Sequence, residues 1–189
     1  MAFCTKKQVE KIGFKSVGAN VRISDKATFY NCSEIEIGSN SRIDDFCVIS
    51  GKIKIGDNVH ITPMCLVAGG TKGIIFENFT TIAYGVRVFT QSDDYSGATM
   101  TNSTIPKEYK NEFMQEVILK KHTIVGAGST IMPGVVLEEG TSVGAMSLVL
   151  KSTDSWGVYV GSPAKRLRDR DKKLLTLEKK YFLNKSNNK

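Results

Sequence analysis

A large aliphatic residue recurs every six positions through most of this chain, and that spacing leaves few folds open. Val17 and Ile23 stand on one frame, followed after a break by Ile37, Ile43, Ile49, Ile55, Ile61 and Val67. Phe76, Ile82 and Val88 resume after a slip of three residues, and Leu119, Val125, Ile131, Leu137, Val143 and Val149 complete the series. Four places after these residues stand Val21, Ala27, Ser41, Cys47, Ile53, Val59, Cys65, Thr80, Val86, Thr123, Ser129, Val135, Thr141 and Ser147, all small or β-branched. The place directly after the aliphatic residue is often glycine, as at Gly18, Gly38, Gly56, Gly126 and Gly144.

A short strand plus a turn accounts for each unit, and three units make a triangular coil of about 18 residues. The large residues fill the core, the small ones point inward where the coil narrows, and glycine is expected to supply the permissive backbone of the bend. Successive coils stack as parallel strands about 4.8 Å apart, so like sits above like. Ordinary amphipathic strands would alternate with period two instead. The fold class is therefore all-β, a parallel β-helix. Cys47 and Cys65 fall one coil apart at the small position and are expected as buried, reduced packing residues. With Cys4 and Cys32 they make no zinc-like spacing.

Three stretches leave the frame. Residues 5–12 read as a short N-terminal helix, and residues 164–183 as an amphipathic helix with Leu167, Leu174, Leu175, Leu177, Tyr181 and Phe182 in a rough stripe. The terminal NKSNNK is expected to fray. Residues 91–118, rich in polar and aromatic side chains, form a long excursion of the kind usually kept for binding or catalysis. The whole, residues 1–189, reads as a single domain: an N-terminal helix over 1–16, the β-helix over 17–160 with its loop, and a C-terminal helix and tail over 161–189.

Charge is concentrated rather than spread. Residues 151–189 carry 11 Lys+Arg against 4 Asp+Glu, whereas residues 1–150 carry 15 of each sign. A basic end without a reading helix or stacking aromatics argues against nucleic acid and fits either a small phosphorylated ligand or a solvated tail. The apolar runs fall far short of the ~20 residues of a membrane span. The N-terminus lacks the apolar core of a secretory signal, so a cytoplasmic location is expected.

The segments KHTIVGAGSTIMPGVVLEEGTSVGAMSLVLK and WGVYVGSPAKRLRDR, together with the frame and the loop, resemble the hexapeptide-repeat acyltransferases of the galactoside and maltose acetyltransferase kind. SDDYSGATMTN and WGVYVGSPAK are closer to a branch that acylates sugars for bacterial surface polysaccharides, including nucleotide-linked amino sugars. The resemblance covers nearly the whole chain. It implies a left-handed coil, although parallel crossovers are ordinarily right-handed. It also implies a homotrimer with active sites between subunits, and acetyl-CoA or another acyl-CoA as co-substrate, with no metal. By the same resemblance Gly126, Ala127 and Ala145 match positions that hold the pantetheine arm, and Lys151, Lys165 and Arg168 match basic positions near the adenosine phosphates.

One departure carries the chemical reading. Galactoside-type relatives place a catalytic histidine in the loop, about six residues after the last regular aliphatic position. That position here is Val88, and the corresponding place holds Asp94. The two histidines, His60 and His122, lie outside the loop. His60 is expected at an outward corner and His122 on a surface turn. A carboxylate with pKa near 4 is poorly matched to a sugar hydroxyl of pKa ~16. A sugar amine, with pKa roughly 8 by analogy with an α-amino group, needs only a proton acceptor and positioning. Asp94 is thus the candidate acceptor, with Asp93, Tyr95, Asn102 and His60 as candidate substrate contacts. The favoured reaction is N-acylation, with O-acetylation of a hydroxyl as the alternative. A β-helix zinc hydratase would need three histidine ligands, and a bare scaffold would leave the loop unexplained.

Overall fold

Six-residue spacing becomes geometry through strands of two or three residues joined by tight turns. In the computed structural model, which describes residues 2–187, these strands stack into three parallel faces. The first runs through Ser16–Val17, Ile35–Ile37, Ile53–Ile55, Ile74–Phe76, Val117–Leu119 and Val136–Leu137. The second holds Arg22–Ile23, Arg42–Ile43, His60–Ile61, Thr81–Ile82, Ile124–Val125, Ser142–Val143 and Gly157–Val160. The third runs from Thr28–Tyr30 through Val48–Ser50, Leu66–Ala68, Arg87–Phe89 and Thr130–Ile131 to Leu148–Val149. Register follows the repeat: Ile37, Ile55, Phe76, Leu119 and Leu137 lie one above another on the first face.

Every aliphatic position of the frame from Ile23 onward is buried, whereas Val17, at the open first coil, is 38% exposed. The frame is also more complete than its sequence reading. Phe29 occupies the missing place between Ile23 and Ile37, stacked on Ile49, and the short helical turn Cys32–Glu34 absorbs the two extra residues. Cys47 and Cys65 are buried and unpaired by disulfide, as expected. The neighbouring Cys65 sulfur, with burial, pushes the Cys47 thiol far up and keeps it inert.

The small inward position has a reason beyond size. Ser41 Oγ donates to the Gly56 carbonyl at 2.8 Å and accepts from Val59 N at 3.0 Å. Ser129 does the same with Gly144 O at 2.9 Å and Ser147 N at 3.1 Å. Cys47 Sγ reaches Thr62 O at 3.1 Å and Cys65 Sγ reaches Ala83 O at 3.3 Å. Each such side chain satisfies turn groups that the strand ladders leave over, at roughly 1 kcal/mol per bond.

The glycine expectation is corrected. Positive φ falls two places later, at Asn58 (56°), Phe79 (62°), His122 (62°) and Trp156 (57°). Glycine at the place directly after the aliphatic residue serves close approach instead: a Cβ on Gly38 would lie 2.5 Å from Gly56 C, and one on Gly126 2.4 Å from Ala145 N.

The N-terminal helix, α1 (Lys6–Ile12), forms as expected, with a Thr5–Gln8 capping box and Gly13 at its left-handed end. The C-terminal region differs from expectation. Lys165–Asp169 is a strand, antiparallel to Gly157–Val160, because the last strand of the second face offers an unpaired edge that a hairpin covers more directly than a helix. Helix α2 then runs Leu174–Asn187, so it continues through most of the segment expected to fray. Residues 188–189 lie outside the described residues. The excursion also rejoins the coil early, since Val117 and Ile118 already belong to the first face.

Helix α2 lies against the corner between the first and second faces. His122 is there, buried rather than on the surface, stacked on Phe79 at 5.3 Å and bonded to Glu178 at 3.0 Å. Glu178 also pairs with Lys121 at 2.5 Å, and Phe182 and Tyr181 pack on Phe79 at 5.8 and 6.1 Å. Burial pushes the Glu178 carboxyl up, but its bonds to Lys121 and His122 outweigh that and hold it below the ordinary value. A depressed carboxylate stabilises fully above its unfolded pKa, about 4.3, and loses that contribution as pH falls through the folded value. Helix α2 should therefore stay docked from neutral pH down to about pH 4.3 and loosen below it. Near-ultraviolet circular dichroism of the Phe79–His122–Trp156 cluster should report the change, and Glu178→Gln should flatten it.

Candidate active site

The excursion leaves the third face at Thr90 and returns to the first, so its stem stands at the corner between those faces. Gln91–Ser92 pairs antiparallel with Phe113–Met114, Thr90 Oγ1 donates to Ala68 O at 3.0 Å, and Gln115 N donates to Thr90 O at 3.0 Å. Glu112 accepts from Gln91 Nε2 at 2.8 Å and from Lys110 Nζ at 2.9 Å. These bonds turn a polar insertion into a held arm.

Just beyond the stem, Asp94 closes a tight turn. Its carboxylate accepts from Ser96 N at 2.8 Å, Ser96 Oγ at 2.9 Å and Thr99 Oγ1 at 3.0 Å. The Ser96 backbone and side-chain bonds, then Thr99, hold its carboxyl below the ordinary value, so it is charged throughout the neutral range. Asp93 and the 90%-exposed Tyr95 lie together beside Phe89 and Met132, around a cavity of about 400 Å³. Asn102 stands apart on a second turn with φ 74°, its Oδ1 accepting from Thr104 N at 2.9 Å and Thr104 Oγ1 at 2.7 Å. The structure thus joins Asp93 to Tyr95 and gives Asp94 and Asn102 local turn partners.

His60 lies on the second face, across the prism from the stem of the loop. It is not a plain surface residue. Its Nε2 is 2.9 Å from Asp44 Oδ2, and Asp44 Oδ1 accepts from Arg42 Nε at 2.6 Å. Asp44 is 2% exposed, so a buried carboxylate orients both side chains. Thr62, at the matching place one coil on, has a buried hydroxyl without a hydrogen-bond partner among the described residues. The signal for this group was present in sequence, since Asp44 takes a place after the aliphatic residue that is elsewhere mostly small.

The second face also gathers most of the candidate cofactor residues. Gly126, Ala127 and Ala145 follow its strands Ile124–Val125 and Ser142–Val143, with Ala145 exposed. The antiparallel strand Lys165–Asp169 extends the same sheet, placing exposed Lys165 and Arg168 opposite Val160 and Val158. Lys151 does not join them, because it follows the last strand of the third face. The chemistry available along this sheet is a strip of accessible backbone ending in fixed positive charge, suited to an extended, phosphate-bearing ligand.

Comparison with known proteins follows the same lines. The profile described as "Bacterial transferase hexapeptide (six repeats)" matches residues 34–69. A dTDP-4-amino-4,6-dideoxy-D-glucose acyltransferase of Escherichia coli is 43% identical over 181 residues, 94% of each chain. AntD, an N-acyltransferase from Bacillus cereus solved with dTDP and 3-hydroxybutyryl-CoA, superposes with a TM-score of 0.95 at 46% identity, covering 99% of this chain and 98% of that one. An AntD variant with one aspartate replaced by asparagine, solved with dTDP and coenzyme A, gives a TM-score of 0.96 at 44% identity, covering 97% and 100%.

Asp44 holds two partners and His60 one, which orders the effect of removing them. Asp44→Ala should destabilise the protein by about 2–3 kcal/mol in denaturant melts, since it removes two hydrogen bonds, to Arg42 and to His60, from a buried place. His60→Ala should cost less than half as much.

Proposed function

Because the chain belongs to the hexapeptide-repeat acyltransferases, with a sugar-nucleotide acyltransferase as a relative along 94% of its length, we propose that it transfers an acyl group from acyl-CoA to the amine of a dTDP-linked 4-amino-4,6-dideoxy sugar. The observation that carries this reading is the full-length likeness to AntD, an N-acyltransferase that holds dTDP and an acyl-CoA. The histidine-free loop agrees with it, since a neutral amine is already a nucleophile and needs only somewhere to send its proton. Supply of acylated sugars to a surface polysaccharide, in the cytoplasm, is the setting such a substrate implies.

The roles divide as follows. Ala127, Ala145 and the backbone at Gly126 line the path of the pantetheine arm, while Lys165 and Arg168 hold phosphates, with Lys151 beyond them on the third face. Asp94 accepts the proton from the attacking amine as the nitrogen bonds the thioester carbon; collapse of the tetrahedral intermediate then expels the coenzyme A thiolate. Asp93, Tyr95, Asn102 and His60 contact the sugar nucleotide. For Asp94 to act, its turn must exchange a bond from Ser96 or Thr99 for one from the substrate. In AntD, replacing one aspartate by asparagine still leaves dTDP and coenzyme A in place, so that carboxylate is dispensable for holding them there.

Turnover measured with acetyl-CoA and a dTDP-linked amino sugar, against the corresponding hydroxyl sugar, tests the reading. Transfer to the amine alone is the expected result. Asp94→Asn should lower kcat by about 10²–10⁴-fold with binding intact. The mutant should recover part of the loss as pH rises through about 8, where the acceptor loses its proton unaided. Wild-type kcat in Asp94→Asn would remove Asp94 from the mechanism.

Topology favours a site shared between copies of the chain. The stem of the loop and the second face occupy different sides of one prism, so a site using Asp94 together with Ala127 and His60 is completed by a neighbouring copy. A homotrimer supplies three such clefts by symmetry. Light scattering at micromolar concentration should return about three times the 20.8 kDa chain mass; a monomer would defeat a shared site.

A further inference from the structure

The outer corner of the second face carries one column of residues, two places after each inward aliphatic side chain. In order along the prism these are Asp45, Pro63, Tyr84, Ala127 and Ala145. The backbone ties them coil to coil. Met64 N donates to Asp45 O at 3.0 Å, Gly85 N to Pro63 O at 3.1 Å, Gly128 N to Tyr84 O at 2.8 Å and Met146 N to Ala127 O at 2.8 Å. Tyr84 is therefore the direct neighbour of Ala127, one coil nearer the N-terminus.

The size of the side chain changes abruptly along this column. Ala145 and Ala127 present a methyl each, and Tyr84 presents a phenol ring that is 62% exposed. Nothing in the packing of the coil asks for that ring, since the core of this corner is already closed by Ile82 and Val86, both 0% exposed. The coil that bears Tyr84 also bears Val88, six residues before Asp94. A phosphate-bearing ligand anchored at Lys165 and Arg168 and laid over Ala145 and Ala127 thus meets Tyr84 next along the column. Two coil spacings of about 4.8 Å separate Ala145 from Tyr84. A pantetheine arm, about as long as four extended residues or ~14 Å, spans that distance.

We infer that Tyr84 sets the acyl-chain length this enzyme accepts: its ring occupies the space into which an acyl group longer than acetyl would extend from the thioester. This inference rests on the acyl-CoA reading above and adds to it a specificity-determining residue and a class of donor, the short-chain acyl-CoAs. Tyr84 acts by volume. The ring meets the methyl of an acetyl group, and a four-carbon chain would have to displace it or leave the column.

The test compares acetyl-CoA with butyryl-CoA in the wild type, Tyr84→Ala and Tyr84→Phe, with the amino-sugar acceptor held constant. Wild-type enzyme is expected to favour acetyl-CoA in kcat/KM. Tyr84→Ala should raise the butyryl-to-acetyl ratio about tenfold or more, the range that one or two methylenes command in a pocket. Tyr84→Phe should keep the wild-type ratio, because the ring remains. An unchanged ratio in Tyr84→Ala, an equal shift in Tyr84→Phe, or a wild type indifferent to chain length would each overturn the inference. Calorimetric Kd values for acetyl-CoA and butyryl-CoA, measured without acceptor, separate this claim from the proposed reaction. A ratio of Kd values that shifts only in Tyr84→Ala supports the role of Tyr84 even if the amino sugar proves to be the wrong acceptor. If neither acyl-CoA binds, the donor reading and this inference fall together.

Discussion

Coil-on-coil stacking is the constraint from which the other features follow. Most strands of the stack are only two or three residues long, too short to hold a sheet by themselves, yet those inside the stack are paired above and below by strands of the same phase. The inward side chains then stack in register, Ile43 on Ile61 on Ile82 on Val125 on Val143. Burial of these columns supplies the driving force. The hydroxyls and thiols at the small inward positions tie the turns that the ladders leave unpaired. Glycine at Gly38 and Gly126 is part of the same arrangement, because the next coil passes within a Cβ's reach.

Such a scaffold tolerates change only where the stack is left or capped. The turns leave the prism outline at three places: a short helical turn at Cys32–Glu34, a three-residue slip before Phe76, and the arm that departs after Thr90. The last is long enough to carry its own hydrogen-bonded stem. The ends are closed by α1 at the open first coil and by the hairpin of Gly157–Val160 with Lys165–Asp169 at the final strand, which removes an exposed edge. Helix α2 is a separate addition, held less by an apolar stripe than by the Phe79–Tyr181–Phe182 ring contacts and the Glu178 pairs.

Function follows from what a prism of this kind places along its length. The second face lines up the buried Asp44 with Arg42 and His60, the Tyr84 corner, the Ala127–Ala145 strip and the basic edge strand on one sheet. The loop, whose stem is on another corner of the same chain, carries the carboxylates. Division of these groups between faces fits the proposed site, in which a second copy would bring its loop to the first one's sheet.

What the sequence determined by itself was periodic information. A six-residue beat in one side-chain class fixes strand, turn and coil length together, because any other register would expose the aliphatic column. That is why Ile23 through Val149 could be assigned to the core, the buried thiols of Cys47 and Cys65 anticipated, and the excursion after Val88 located. The hand of the coil came from family likeness, since spacing is blind to chirality. Only the tertiary structure decided matters that depend on neighbours distant in sequence. His122 is buried because a helix more than fifty residues later folds over it through Glu178. Lys165–Asp169 is a strand because an open sheet edge outcompetes a local preference for helix. Asp44 orients His60 because coils 16 residues apart stack, and the Asp94 carboxylate is drawn into a turn by Ser96 and Thr99. Repetition is written locally and can be read from one chain of letters, whereas these contacts exist only once the stack has closed.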